Sequence, residues 1–167
     1  MTIHHENPFL PPPEARDRAR QLRGRLAGPV TIVTAGDDGM TASAVQVLEG
    51  APPRLLVGVN EAADFHGAVN ATGKFVVHIA RQEHRQLSDR FAELAPSPGG
   101  LFAGLEVTET EWGPLIAGFG NWAGCRLEAC HSIGWQVLVV GEIEHLELGA
   151  IDDPLIYFRG RYRSLSW

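Results

Sequence analysis

The stretch that decides the fold is VTIVTAGDDGMTASA, residues 30–44. Residues 30–35 are β-branched or apolar almost throughout, which is typical of a buried strand. The Gly-Asp-Asp-Gly run at 36–39 predicts a tight turn, because these residues accept the backbone angles that hairpin turns require. Residues 40–48 then predict the return strand of a hairpin, and that strand begins with small and hydroxyl-bearing side chains.

Short strands separated by turn residues continue outward from this hairpin. On its N-terminal side, Pro13 opens a short amphipathic helix that Gly28 and Pro29 end. On its C-terminal side, strands are predicted at 55–59, 75–80, 121–130, 137–148 (bent at Gly141) and 154–162, and short helices at 61–72 and 82–94. The segment 101–116 fits neither the repeat of a helix nor the alternation of a strand clearly, so no element is predicted there. The pattern predicts a mainly β domain, a closed barrel or a sandwich of about six to seven strands, over residues 14–167, preceded by an irregular proline-rich arm at 1–13.

Charge and hydropathy argue against nucleic acid and membrane as partners. The net charge is −6, whereas nucleic-acid-binding domains usually carry a basic patch. The one basic cluster alternates with acidic residues, so we interpret it as a solvated helix face; its members are Arg16, Arg18, Arg20, Arg23 and Arg25. No apolar run approaches the roughly 18 residues of a membrane span, and the first residues lack a signal-peptide pattern, so we expect a cytoplasmic location.

The cysteines, histidines and glycines match no established catalytic motif. Cys125 and Cys130 are five residues apart, which in a regular strand places them on opposite faces and disfavours a disulfide. The histidines lack metal-ligand spacing, so no metal site is predicted; His78, in an apolar strand, is either a core polar group or a pocket residue. The run at 118–123 matches a relaxed G-x-G-x-x-A fingerprint, but a strand-like segment follows it where a dinucleotide site needs a helix.

The return strand of the first hairpin is the best candidate for a ligand site. Thr41 and Ser43 share one face by alternation and could hydrogen-bond a polar ring edge or a phosphate, while small neighbours let a planar ligand approach the backbone. An ordinary polar sheet face would show the same spacing.

The order of the segments resembles the flavin-reductase-like, FMN-binding split-barrel family, the short-chain flavin reductases. The resemblance spans roughly residues 25–163. It rests on the hairpin together with PPRLLVGVN at 52–60, GKFVV at 73–77, RFA at 90–92, GEI at 141–143 and PLIYFRGRY at 154–162.

The resemblance implies a Greek-key split β-barrel, a homodimer and hydride transfer from NAD(P)H to FMN or FAD, with the reduced flavin serving a partner monooxygenase. The resemblance also indicates which residues bind the cofactor, but it assigns no catalytic residue. The flavin would be lined by Met40, Thr41, Ala42, Ser43 and Ala44, the phosphate-side loop would begin at Asn60, and the pocket edge would include Arg90, Phe91 and Tyr162. The sequence does not rank FMN against FAD or a deazaflavin, or NADH against NADPH.

Two departures from the family pattern bear directly on the ligand site. The loop after Asn60 is Glu-Ala-Ala-Asp-Phe, where family members often place phosphate-binding hydroxyls. Trp135-Gln136-Val137 stands where many members carry Asp-His-Thr, with His131 as the nearest histidine. Two alternatives therefore stay open: a repurposed barrel that binds a flavin-like or other planar ligand without oxidising NAD(P)H, for example in specialised metabolism, and a subunit without a small-molecule site.

Overall fold

The structure, a computed structural model, describes residues 13–165, and side chains from residue 18 onward; the predicted arm at 1–13 lies almost wholly outside this range. The described residues form three α-helices and twelve strands. The helices are α1 Pro13–Arg25, α2 Asp64–Thr72 and α3 Arg85–Phe91; the strands are β1 Gly28–Pro29, β2 Thr31–Ala35, β3 Asp38–Ala42, β4 Val45–Leu48, β5 Arg54–Asn60, β6 Lys74–Ile79, β7 Val107–Thr110, β8 Gly113–Ile116, β9 Asn121–Ile133, β10 Gln136–Leu148, β11 Ile156–Phe158 and β12 Arg161–Arg163. None of the described helices has the length and apolar character needed to cross a membrane.

The main sheet must curl into a barrel, because its two edge strands are neighbours in the chain. Seven antiparallel strands follow the order β3-β2-β6-β9-β10-β5-β4, and only Ser43 and Ala44 separate β3 from β4. A two-residue link cannot cross the width of a flat sheet of this size. The Gly58 N–H donates to the Ala44 carbonyl oxygen at 2.8 Å and fastens this corner. The predicted mainly β barrel is confirmed.

The return strand of the hairpin differs from the prediction. The sequence predicts one strand over 40–48, but β3 pairs with β2 and β4 pairs with β5, on the far edge of the sheet. The turn signal fixes the β2–β3 register locally. The second pairing depends on β5, which the local pattern of residues 40–48 does not reveal.

The long β9–β10 pair carries two irregularities, and one of them lies at Gly141, where the sequence predicts a bend. A Cβ at Gly141 would clash with the buried Phe75 ring and lie 3.0 Å from the Cys125 Cβ. The same irregularity leaves Glu128 without a pairing partner on β10, which shifts the alternation of β9 by one residue. Cys125 and Cys130 therefore both pack against the barrel core, so the prediction of opposite faces is wrong. Both are free thiols.

Strand β2 is buried on both faces, which explains its continuous apolar run. One face contributes Val33 to the barrel interior, and the other contributes Ile32 to a second apolar cluster with Phe91 and Phe119. His78 lies in this buried region and is a satisfied core group: Nδ1–H donates to the Ile32 carbonyl at 2.8 Å, and Nε2 accepts from the Ile116 N–H at 3.0 Å. Burial lowers the pKa of His78 to about 4, so the ring is neutral at physiological pH.

Three other segments refine the sequence prediction. Residues 101–116, for which the sequence pattern predicts no element, contain the β7–β8 hairpin. The predicted helix at 82–94 is a 3₁₀ turn at Gln82–His84 followed by α3. Gly73 ends α2 in the left-handed conformation with φ 70°, as predicted.

Candidate binding cavity

A cavity of about 900 Å³ opens beside the link between β3 and β4. Its floor is formed by residues 43–46, by β5 and by the start of β10, and its mouth by the end of α1 and by the β11–β12 hairpin. This volume falls within the range of cofactor and ligand pockets. Its surface is largely apolar, with a small number of polar groups, as in pockets that hold a planar ring.

Small residues keep the floor shallow. A Cβ added at Gly58 would lie 3.1 Å from the Ala44 Cβ and 3.4 Å from Oε1 of Gln136. A Cβ added at Gly28 would lie 3.2 Å from the Ser43 carbonyl oxygen. The absence of side chains at these two positions lets the β3–β4 link pack closely against β1 and β5, and both glycines line the cavity.

Four of the predicted cofactor-binding residues line this cavity: Thr41, Ser43, Ala44 and Tyr162. Thr41 and Ser43 lie on the same side, as alternation predicts. Thr41 Oγ1 donates to the Ser88 carbonyl oxygen at 2.5 Å, so its hydroxyl can only accept a hydrogen bond from a ligand. Whether these residues contact flavin stays a prediction.

The other five predicted residues lie outside the cavity. Met40, Ala42 and Phe91 pack in the two apolar clusters. Asn60 lies at the exposed end of β5, where its Oδ1 accepts from the Ala62 N–H at 2.9 Å. Arg90 holds the loop after α3, since its Nη2 donates to the carbonyl oxygens of residues 100 and 103 at 2.8 and 2.7 Å.

Tyr162 supplies a protonated phenol at the cavity mouth. Burial raises the pKa of Tyr162, and the hydrogen-bonded Asp89 carboxylate raises it further. Its ring packs edge-on against Tyr157, another lining residue, with ring centroids 6.0 Å apart. The phenol therefore remains neutral at physiological pH, and the two rings form an aromatic wall.

Several lining residues are absent from the predicted set. Gln136 projects into the cavity at the position where the family resemblance leads one to expect a histidine. Arg20 and Arg23 also line it, although the sequence pattern indicated only a solvated helix face. They reach the mouth because α1 docks on the β11–β12 turn, where the Arg159 N–H donates to the Gly24 carbonyl oxygen at 2.9 Å. A contact between two distant parts of the chain leaves no local sequence signal.

Two alternative sites considered from the sequence, a dinucleotide-binding turn and a metal site, are not found among the described residues. The G-x-G-x-x-A run leads into strand β9, as predicted, so no helix follows it. Among residues with described side chains, no group of three His, Cys, Asp or Glu residues could hold a metal ion. The cavity beside the β3–β4 link is therefore the candidate functional site.

The sequence pattern of the flavin reductase like domain matches residues 23–166. The chain belongs to this family. It is 31% identical to the FMN reductase (NADH) RutF of Ancylobacter novellus, in an alignment covering 93% of this chain and 88% of that protein. It is also 31% identical to the reductase component of 4-hydroxyphenylacetate 3-monooxygenase from Thermus thermophilus, over 91% of this chain and 98% of that protein.

Solved structures of the family share the fold. An NADH:FAD oxidoreductase of Streptomyces globisporus superposes with a TM-score of 0.83 at 25% identity, covering 94% of this chain and 97% of that one. The split-barrel architecture implied by the sequence resemblance is thereby confirmed. These family members match the chain over nearly its whole length, so the cavity lies within the part of the chain that aligns with them.

Proposed function

We propose that this protein is a flavin reductase that uses NAD(P)H to reduce FMN or FAD, and that the reduced flavin serves a partner monooxygenase. The relatives support the reaction, because their names describe NADH-dependent FMN reductases and monooxygenase reductase components. The observation that carries the proposal is the glycine- and alanine-floored cavity of about 900 Å³ beside the β3–β4 link. A bound flavin would supply the redox chemistry, accepting hydride from the dihydronicotinamide.

The polar groups around the floor suit the isoalloxazine edge. The Ser43 hydroxyl and the Gln136 carboxamide can each donate and accept hydrogen bonds, which matches the alternating donors and acceptors of that edge. Ala44 and Gly58 pack closely together and place no bulky side chain on the floor of the cavity. We assign to these residues the binding and orientation of the ring, while Tyr157 and Tyr162 limit water access from the mouth.

We further propose a homodimer. Large apolar side chains stand exposed on the cavity rim: Leu26 is 68% exposed, Leu94 76% and Ile133 59%. Clustered exposure of this kind marks an interaction surface, and a second copy would cover the rim and narrow the cavity mouth. Light scattering after gel filtration should give a dimer for the wild type and a monomer for Leu94→Glu; a wild-type monomer would contradict the proposal.

The reductase proposal is tested by steady-state oxidation of NADH and NADPH by the purified protein. FMN, FAD and riboflavin are supplied in turn, with a flavin-free reaction as control. We expect NAD(P)H oxidation that depends on flavin and saturates with it. Flavin binding without accelerated NAD(P)H oxidation would contradict the proposal and favour the repurposed planar-ligand barrel.

A further inference from the structure

A second opening adjoins the binding cavity. It has a volume of about 550 Å³ and lies between α1 and the β11–β12 turn. Arg20, Arg25 and Arg159 contribute its charged side chains. Arg20, Gly24 and Gly160 line both spaces, so the two openings share a wall. Because two of these three shared residues have no side chain, one elongated ligand can extend from the cavity into this arginine crevice.

The charge around these openings is opposite to that of the whole protein. The net charge is −6, yet no described residue that lines either opening is acidic. Elsewhere, arginines are compensated: Arg54 pairs with Glu128 at 2.8 Å, and Arg81 pairs with Asp153 at 2.7 Å. Among the residues whose side chains are described, the crevice therefore gathers three guanidinium groups and no carboxylate, which favours an anionic ligand.

The backbone at Arg159 points to a role for its side chain. Arg159 and Gly160 form the two-residue turn between β11 and β12, with φ values of 52° and 75°. A turn with both central residues at positive φ favours Asn or Asp followed by Gly, and a long side chain at the first position is strained. Arg159 therefore weakens the turn, but it places a guanidinium group at the crevice, beside those of α1.

The loop that follows β5 is poorly suited to a phosphate. Glu61 and Asp64 place exposed carboxylates there, and these would repel an anion. The Asn60 side chain already accepts from the Ala62 N–H. Neither Asn60 nor the residues of that loop line the cavity. Among the described residues, the charged side chains that line the cavity all belong to α1, so a phosphate attached to a ring in the cavity meets positive charge on that side.

We propose that Arg20, Arg25 and Arg159 bind the phosphate or pyrophosphate group of the nucleotide whose ring occupies the cavity. The identity of the ring rests on the proposed function, whereas the anion site stands on the crevice itself. Guanidinium groups suit this ligand because they form bidentate hydrogen bonds with phosphate oxygens. The chain thus holds its nucleotide by the helix α1 and the β11–β12 turn, in place of the loop at 61–65.

The test compares ligands with and without phosphate on single variants. Arg20→Gln and Arg159→Gln remove one guanidinium each, and Arg18→Gln is the matched control because Arg18 is exposed on the same helix and lines neither opening. Dissociation constants are measured for FMN and riboflavin by flavin fluorescence, and for ADP by calorimetry. ADP carries a pyrophosphate without a redox ring, so its binding does not depend on reductase activity.

We expect each crevice variant to weaken ADP binding about fivefold, the change for losing one exposed charge contact ~4 Å from a phosphate. Binding should also weaken with rising salt. If the flavin phosphate is the ligand, FMN affinity falls by a similar factor while riboflavin affinity does not change. If the nicotinamide dinucleotide is the ligand, KM for NAD(P)H rises and FMN affinity is unaffected.

Equal affinities in wild type, both crevice variants and the Arg18→Gln control for all phosphate-bearing ligands would overturn the proposal. If the reductase function fails instead, the protein shows no flavin binding and no NAD(P)H oxidation. ADP binding then remains sensitive to Arg20→Gln and Arg159→Gln. The two proposals therefore fail independently.

Discussion

Replacing Ser43 by tryptophan should block the cavity without unfolding the protein. Ser43 is exposed, lies between β3 and β4, and lines the cavity floor. A substitution at an exposed position outside a packed core usually changes the free energy of unfolding by no more than about 0.5 kcal/mol. The indole would occupy the space above Gly58, where a ring ligand needs contact with the floor.

The expected loss of affinity follows from the covered area. If the indole displaces ~100 Å² of apolar contact between ligand and floor, at ~25 cal/mol per Å² the loss is about 2.5 kcal/mol, or about seventyfold in Kd. The assay is titration of FMN by quenching of its fluorescence, with thermal unfolding recorded in parallel. Gln86→Trp is the control, because Gln86 is exposed on α3 and lies outside the cavity.

The outcome separates a misplaced site from a misfolded variant. We expect Ser43→Trp to retain the melting temperature of the wild type and to lose FMN binding, while Gln86→Trp retains both. Unchanged FMN affinity in a folded Ser43→Trp protein would refute the placement of the ring on this floor.

Two further predictions concern stability. The unfolded state takes up a proton at His78 below pH 6.5, whereas the folded state does so only near pH 4, so wild-type stability should fall by up to about 3 kcal/mol as the pH drops through this window. Urea unfolding of His78→Leu should show a shallower pH dependence than that of the wild type. At neutral pH its free energy of unfolding should be lower by about 2–4 kcal/mol, because two buried backbone groups lose their hydrogen-bond partner. An equal slope of stability against pH in both proteins would contradict this explanation. Gly141→Ala should destabilise the barrel by about 1–3 kcal/mol, since the new Cβ meets the buried Phe75 ring. Gly67→Ala, in open space on α2, is the matched control and should be at least as stable as the wild type; equal stabilities of the two variants would show that the core yields freely at Gly141.

The sequence predicts the fold well where the signals are local. The tight turn after β2, the C-terminal glycine of α2 and the bend at Gly141 were each indicated by residue type. The break at residues 43–44 was not, because it arises from pairing between β4 and the distant strand β5. The bulge at Glu128 reversed the predicted orientation of Cys130, since inserting one unpaired residue shifts alternation along the rest of a strand.

Only the part of the candidate site formed by residues close together in the chain could be predicted from the sequence. Thr41, Ser43 and Ala44 are consecutive or alternate along the chain, and the structure places all three on the cavity. Arg20 and Gln136 come from elements that meet only in the folded barrel, so no spacing rule connects them with the hairpin. Their contribution to ligand binding could be inferred only once the helix α1, the strand β10 and the β3–β4 link were placed together.

The proposed reaction requires that the cavity hold a flavin which NAD(P)H reduces. The most direct measurement is the visible absorption spectrum of the protein with FMN, recorded without oxygen before and after adding NADH and, separately, NADPH. We expect binding to perturb the flavin spectrum, and at least one of the two nucleotides to bleach it faster than it bleaches free FMN. The Ser43→Trp variant should show neither effect. A spectrum identical to that of free FMN, with no accelerated bleaching by either nucleotide, would contradict the proposed reaction.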